Sequence, residues 1–390
     1  MKGNYMQINN HVNDNRRSSQ KAVNKNGEIE FLRFLCCMGV LLFHAGKYVQ
    51  GEPSLKNGIH FDFFPHGSVC VEFFFLLSGF FMAKSIYRKI ENQKPGEQEK
   101  LCRGEMMTKE YLQFLAHKYL RILPQHIVAF VITFIIYVMA KNIRGIDLVS
   151  LVLNNLSSFF LIQMSGLYFS NVNHLEWYIS CMLIAMAILY PICRKYYFYF
   201  TRYYAPLFSL LLLGYMIHTT SALTGVSTWM GISYKSLMRA LAEIALGTTA
   251  FEISRCISAS RRFYEPKNRI IFTAVKYASI ILVALYVLLT LPKKFEIYAL
   301  MLFVIIIVIS FSGISYGTRL FQNRICCYLG DLSLPLYLAQ LSAVYIVTNF
   351  LTGYSEKRQI VLIVLNTFLI GYVIKILGRM IEKKFFFRKA

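Results

Sequence analysis

The chain has 390 residues, 56% of them hydrophobic, 15% aromatic and only 16% charged, with a mean hydropathy of +0.46. So many long apolar runs exclude a soluble globular domain and a disordered chain, and indicate a polytopic membrane protein. The formal charge of +22 lies between the apolar runs, where lysine and arginine set orientation and meet anionic lipid or substrate, so it carries no nucleic-acid function.

Residues 1–27 are rich in Asn, Lys, Arg and Ser and read as a mobile polar tail. No small-residue cleavage site follows the first apolar run, so that run reads as retained. Windows of about 20 apolar residues, the length that crosses a bilayer as helix, fall near 29–49, 67–87, 122–140, 173–193, 204–219, 236–254, 270–291, 295–313, 328–350 and 359–381. The fold class is therefore an all-α integral membrane protein of about ten helices, with one domain over 28–384 and a basic tail over 385–390.

Basic groups fill every second connection. Arg16, Arg17, Lys21 and Lys25 precede the first span, and Lys84 to Arg121 fill the second connection. Arg194 to Arg202, Arg255 to Arg269, Arg319 with Arg324, and Lys383 to Lys389 follow. The positive-inside rule then places both termini in the cytoplasm of a cell-membrane protein. Residues 146–168 interrupt the series: they are apolar but broken by Asn154, Asn155, Ser157 and Ser158. A crossing there would invert the charge rule, so the segment reads as re-entrant or as an interfacial helix. The nine cysteines show no Cys-x-x-Cys and no histidine at ligand spacing; they read as packing residues, with no metal site and no bound cofactor.

Polar groups within the spans are the candidate site. Arg33 and His44 share one apolar run, and eleven residues at roughly 100° each put them on one helix face about 16 Å apart. An ionisable group inside a membrane costs several kcal/mol and usually faces a bundle interior or wet cavity; snorkelling and core hydrogen bonding are the bland alternatives. Glu72 opens the second span within reach of His44 or an arginine, and Ser78-Gly79 lets helices approach closely. Lys118 and Arg121, one turn apart before the third span, suit phosphate groups or serve as plain anchors. His174, Glu176 and Trp177 stand at the outer start of the fourth long span. Ser333, Tyr337 and Gln340 place polar atoms at helical spacing in a later one.

The order of these pieces is more specific than any one of them: Arg33 with His44, Val71-Glu72-Phe73-Phe74 into Leu77-Ser78-Gly79-Phe80, Phe114 with Lys118, Arg121 and Pro124, Trp177-Tyr178-Ile179-Ser180 ahead of Tyr190-Pro191, and Leu329-Gly330 with Ser333 and Tyr337-Leu338. In this the chain resembles the membrane acyltransferase-3 family of integral membrane O-acyltransferases over nearly all of 28–384. The resemblance implies transfer of an acyl group, usually acetyl, from cytoplasmic acyl-CoA to a hydroxyl of a cell-surface carbohydrate or lipid-linked glycan. It maps the essential arginine and histidine onto Arg33 and His44 and the basic pair onto Lys118 and Arg121. Catalytic roles fall to His44, Arg33 and Glu72, donor binding to Lys118, Arg121 and Ser78, and the acceptor side to His174, Trp177, Tyr337 and Gln340. Acyl-CoA is then a donor substrate, membrane lipids surround the domain, and a homo-oligomer is left open. Two departures stand out: Lys118 replaces the usual arginine, and Gln340 stands where many members carry histidine. A non-enzymatic transporter or flippase for a lipid-linked glycan is the alternative reading of the same charges.

Overall fold

The computed structural model describes residues 25–50, 63–93, 105–167 and 172–386. Residues 1–24 of the expected tail over 1–27, the basic residues Arg16, Arg17, Lys21, Lys94, Lys100, Arg103, Arg388 and Lys389, and most of the connection between His44 and Glu72 lie outside them.

The chain runs as α1 (Gly27–Gln50), α2 (Cys70–Glu91), α3 (Glu105–Lys141), two short helices α4 (Ile146–Asn154) and α5 (Leu156–Phe159), then α6 (Trp177–Lys195). A π-helical stretch, Phe200–Tyr204, leads into α7 (Ala205–Thr220). The remainder is α8 (Lys235–Ala259), α9 (Pro266–Leu288), α10 (Glu296–Ser312), α11 (Arg324–Phe350) and α12 (Glu356–Ile381). Among the described residues the only extended pairing is one antiparallel bridge, Trp229 with Tyr234, in the loop after α7.

Among the described residues eight helical stretches are long and apolar enough to cross a membrane: Gly27–Gln50, Gly67–Glu91, Met106–Lys141, His174–Lys195, Pro266–Leu288, Lys293–Ser312, Arg324–Phe350 and Glu356–Lys384. Two expected spans fall short for different reasons. Helix α7 has only 16 residues, and α8 carries Arg239, Glu243, Glu252 and Arg255 along its length. The charges of α8 are matched: Arg239 pairs with Glu72 and Glu243 inside the bundle, and Glu252 pairs with the more exposed Arg202 and Arg255. Pairing of this kind is what lets a charged helix sit among apolar neighbours.

The largest departure in element length is α3. Its apolar part alone reads as a span from 122, whereas the helix starts at Glu105 and runs 37 residues through Pro124. A hydropathy window sees only the lipid-length part of a helix that continues beyond the bilayer, so Lys118 and Arg121 lie within a continuous helix rather than in a connection.

Helices α2 and α8 approach most closely at two glycines. A Cβ on Gly79 would stand 1.9 Å from the Ile244 carbonyl oxygen, and one on Gly247 would stand 2.2 Å from the Leu76 carbonyl oxygen. The absent side chains let the two backbones touch, as the Ser78-Gly79 pair suggested. Around them Phe80 stacks on Phe311 at 4.2 Å between centroids and meets Phe251 edge-on.

The segment from 146 is broken, as its polar residues required. Ile146, Val149, Val152, Leu153 and Phe160 are exposed while Asn155, Ser158 and Gln163 are buried. Apolar side chains turned outward with polar ones turned inward is the pattern of backbone lying at membrane depth against protein.

The helix ends sort into two faces. On one, Asn26 and Gly27 bond to Ser310 and Gln322, and Arg194 and Lys89 meet Glu110. On the other, the C-terminal end of α1 meets the N-terminal ends of α2, α6, α8 and α10 around a cavity.

Candidate active site

That cavity has a volume of about 810 Å³ and its wall includes His44, Tyr48, His174, Trp177, Arg239 and Tyr337. A space of this size holds a ligand of one or two sugar rings, within the usual range for small-molecule sites.

His44 is half-buried on the wall, and its Nδ1 lies 2.9 Å from the Gln340 side-chain oxygen. With a carbonyl oxygen as acceptor, Nδ1 carries the proton and the lone pair resides on Nε2. Gln340 is fully buried on α11, so the amide that replaces the usual histidine is a fixed partner for the imidazole. Next along α1, the Tyr48 hydroxyl is hydrogen-bonded to His174 Nε2, and His174 acts electrostatically on His44. Two of the acceptor-side candidates, His174 and Gln340, therefore stand beside the predicted catalytic histidine. A third, Tyr337, donates its hydroxyl to the Leu175 carbonyl, tying α11 to the turn that opens α6.

Glu72 does not orient His44. Its carboxylate is fully buried and bonds the Arg239 guanidinium, which also donates to Glu243 Oε1 at 3.0 Å and lies 5.7 Å from the centre of the Trp177 ring. Of the two partners the sequence allowed, the arginine is the one present. Glu72 therefore stands behind the cavity wall, holding a cation that lines it.

Glu176 also differs from expectation. Rather than standing at an accessible mouth it is 1% exposed, and its carboxylate lies 2.9 Å from His126 Nδ1. His126 Nε2 in turn donates to the Phe159 carbonyl at 3.0 Å, so this pair fastens the broken segment to α3 and α6. His66, in the connection ahead of α2, also lines the cavity. Burial holds its imidazole below the usual range, and its Nε2 accepts the Leu291 amide N–H at 3.1 Å. A neutral ring is what an accepting nitrogen requires.

Toward the opposite face, Arg33 donates to Glu30 Oε2 at 2.8 Å. Glu30 fits there because Gly330 leaves room: a Cβ at 330 would lie 2.1 Å from that same oxygen. This gives the Leu329-Gly330 pair a steric reason. Lys118 lies within electrostatic reach of both Arg121 and Arg33, so the basic pair expected to bind phosphate is gathered with Arg33. Arg121 is exposed and Lys118 half-buried, its ammonium 5.7 Å from the Phe114 ring centre. A second cavity of about 810 Å³ on this face is lined by Lys84, Arg88, Lys89 and Glu110.

Between the two ends, Ser78 donates to the Phe74 carbonyl at 2.8 Å and lies 3.4 Å from the Tyr178 hydroxyl. Arg33 acts electrostatically on Tyr178, and the Tyr178 ring meets Tyr337 edge-on at 5.9 Å. Ser78 and Tyr178 thus mark the interior between Arg33 and the His44 cavity. Cys37 adds a contact there, its thiol donating to the Ser333 carbonyl at 3.2 Å. Seven of the eight described cysteines are buried.

Reading the sequence alone missed Arg239, Glu243, Lys235, Glu296, His126 and Tyr178. Arg239 and Glu243 carried a signal, being opposite charges four residues apart in an expected span. Lys235 and Glu296 sit at helix starts, where a charge is unremarkable in sequence.

Among the described residues the chain is a helical bundle with membrane-length apolar helices, in which a half-buried histidine lines a ligand-sized cavity. The chain belongs to the acyltransferase-3 family: a family model described as an acyltransferase domain matches residues 26–379. It is accordingly a membrane acyltransferase. No curated protein and no solved structure matches the chain.

Proposed function

We propose that the protein is an O-acetyltransferase of the cell membrane, taking the acetyl group from cytoplasmic acetyl-CoA and placing it on a hydroxyl of a cell-surface polysaccharide or glycolipid precursor. The observation that carries this reading is the position of His44: it lines the cavity, its Nδ1 is held by Gln340, and the cations Arg33, Lys118 and Arg121 gather toward the other end of the same helix face.

In this mechanism both termini are cytoplasmic, and the phosphates of the donor meet Arg33, Lys118 and Arg121, with arginine able to bind them as a fork. The thioester arm extends past Ser78 and Tyr178 toward His44. The acceptor hydroxyl occupies the cavity, and His44 Nε2 takes its proton as the oxygen attacks the thioester carbonyl carbon. The carbon–sulfur bond then breaks, the acetyl group remains on the sugar oxygen, and the proton passes from His44 to the departing thiolate. Transient acylation of Nε2 followed by attack of the hydroxyl balances equally, and uses the same nitrogen. Glu72 acts as a positioning residue by holding Arg239.

The test is the O-acetyl content of surface glycans from a deletion strain and its complemented parent, read by NMR. Acetyl signals absent in the deletion and restored on complementation support the assignment. Identical acetylation in both strains overturns it.

A further inference from the structure

The turn that opens α6 cannot hold its own place in the cavity wall. His174–Glu176 is a 3-10 turn of three residues, and no side chain caps it. Such turns have poor hydrogen-bond geometry and persist only in short pieces, so the position of this one must be set by its neighbours. Each of its residues is tied to a different helix. The Tyr48 hydroxyl of α1 is hydrogen-bonded to His174 Nε2, the Tyr337 hydroxyl of α11 donates to the Leu175 carbonyl, and His126 Nδ1 of α3 lies 2.9 Å from a Glu176 carboxylate oxygen. All three ties join described residues.

The first two ties lie in the wall itself, which includes Tyr48, His174, Leu175, Trp177 and Tyr337. The third is made between side chains that are 0% and 1% exposed, His126 and Glu176, so it acts on the cavity through the residues it holds. An ionisable pair inside a membrane bundle is costly to place. This one is anchored at its far end, because His126 Nε2 donates to the Phe159 carbonyl at 3.0 Å. Helix α3 also carries Lys118 and Arg121. The pair therefore fixes the His174 side of the cavity against the helix that bears the basic pair.

We infer that Glu176, through His126, is a positioning residue for acetyl transfer: it sets the place of the turn, and so of His174 beside Tyr48 and of Trp177 in the wall that meets the acceptor. The inference rests on the function proposed above. A misplacement of about 1 Å can cost on the order of 100-fold in rate, so losing the tie lowers kcat/KM for the acceptor about 10- to 100-fold. The KM for acetyl-CoA stays within about twofold, since its phosphate contacts are retained.

The experiment uses the full chain in lipid nanodiscs, with acetyl-CoA and polysaccharide isolated from the deletion strain varied separately. A second readout needs no transfer. The chain has two tryptophans, so Trp229→Phe leaves Trp177, 7% exposed, as the sole reporter of the turn in acrylamide quenching. Glu176→Leu should lower acceptor kcat/KM, spare the KM for acetyl-CoA and increase quenching of Trp177. Glu176→Gln, whose amide can donate to Nδ1, should restore all three values toward wild type. Where Glu176→Leu does not fold, Glu176→Leu combined with His126→Leu replaces the buried pair by apolar side chains, a swap that is often neutral or stabilising, and should show the same changes. Wild-type acceptor kinetics and quenching in the leucine variant, a parallel change in KM for both substrates, or a loss that Glu176→Gln does not restore overturns the inference. Absence of transfer by the wild-type protein contradicts the acetyltransferase reading instead; increased quenching then still supports the placement of the turn by Glu176, and unchanged quenching overturns it.

Discussion

Replacing Gln340 with leucine tests how the imidazole is held. Leucine has similar bulk, so packing on α11 is largely kept, but the acceptor 2.9 Å from His44 Nδ1 is removed. The Nδ1–H then faces an apolar side chain where Gln340 was fully buried, and an unsatisfied buried donor costs about 1–3 kcal/mol. Part of that cost is avoided by rotating the ring or by moving the proton to Nε2, and both remove the nitrogen lone pair from the acceptor hydroxyl. The expected loss is thus about 5- to 150-fold, and it belongs in kcat, because the proposed mechanism places the donor's phosphates at the other end of α1. Steady-state acetyl transfer in nanodiscs, with acetyl-CoA and acceptor varied separately, reads the split. Gln340→His should recover much of the rate, since a ring nitrogen can also accept from Nδ1. A Gln340→Leu enzyme with wild-type kcat would refute the claim that this amide sets the working tautomer.

Other substitutions address the frame and the donor end. Arg239→Met leaves Glu72 and Glu243 buried without their cation, a loss of about 3–5 kcal/mol that should appear as a lowered melting temperature and be partly relieved by adding Glu72→Gln. Gly79→Leu forces side-chain atoms into the space where even a Cβ would stand 1.9 Å from Ile244 oxygen, and folded yield by size-exclusion chromatography should collapse. Gly214→Ala, with nothing within 4 Å, should leave yield unchanged or raise stability by up to about 1 kcal/mol. Arg33→Ala should raise the KM for acetyl-CoA about tenfold while altering acceptor KM little, as loss of one charge-assisted phosphate contact implies.

Much of the bundle was legible because apolar length and basic connections report directly on membrane crossing. Spans such as 29–49 and 328–350 match α1 and α11 closely. Where the reading was incomplete, the physics is identifiable. The start of α3 was hidden because a helix leaving the bilayer becomes polar without ending. Arg33, Lys118 and Arg121 could be grouped from their motifs, whereas the pairing of Glu72 with Arg239 required two helices 167 residues apart in sequence to be brought together. The sequence offered His44 or an arginine as the partner of Glu72; packing through Gly79 and Gly247 brings α8 and its Arg239 there. Gln340 illustrates the opposite case: in sequence it marked a lost imidazole, and in the folded chain it is the hydrogen-bond partner of the remaining one.

The account depends most on His44. Purified wild-type protein and His44→Ala, reconstituted at equal amounts in nanodiscs and shown to be equally folded by thermal denaturation, should be supplied with acetyl-labelled acetyl-CoA and a glycan acceptor. The account predicts label on the glycan with the wild type and none above background with the variant. Transfer by His44→Ala at the wild-type rate would contradict it.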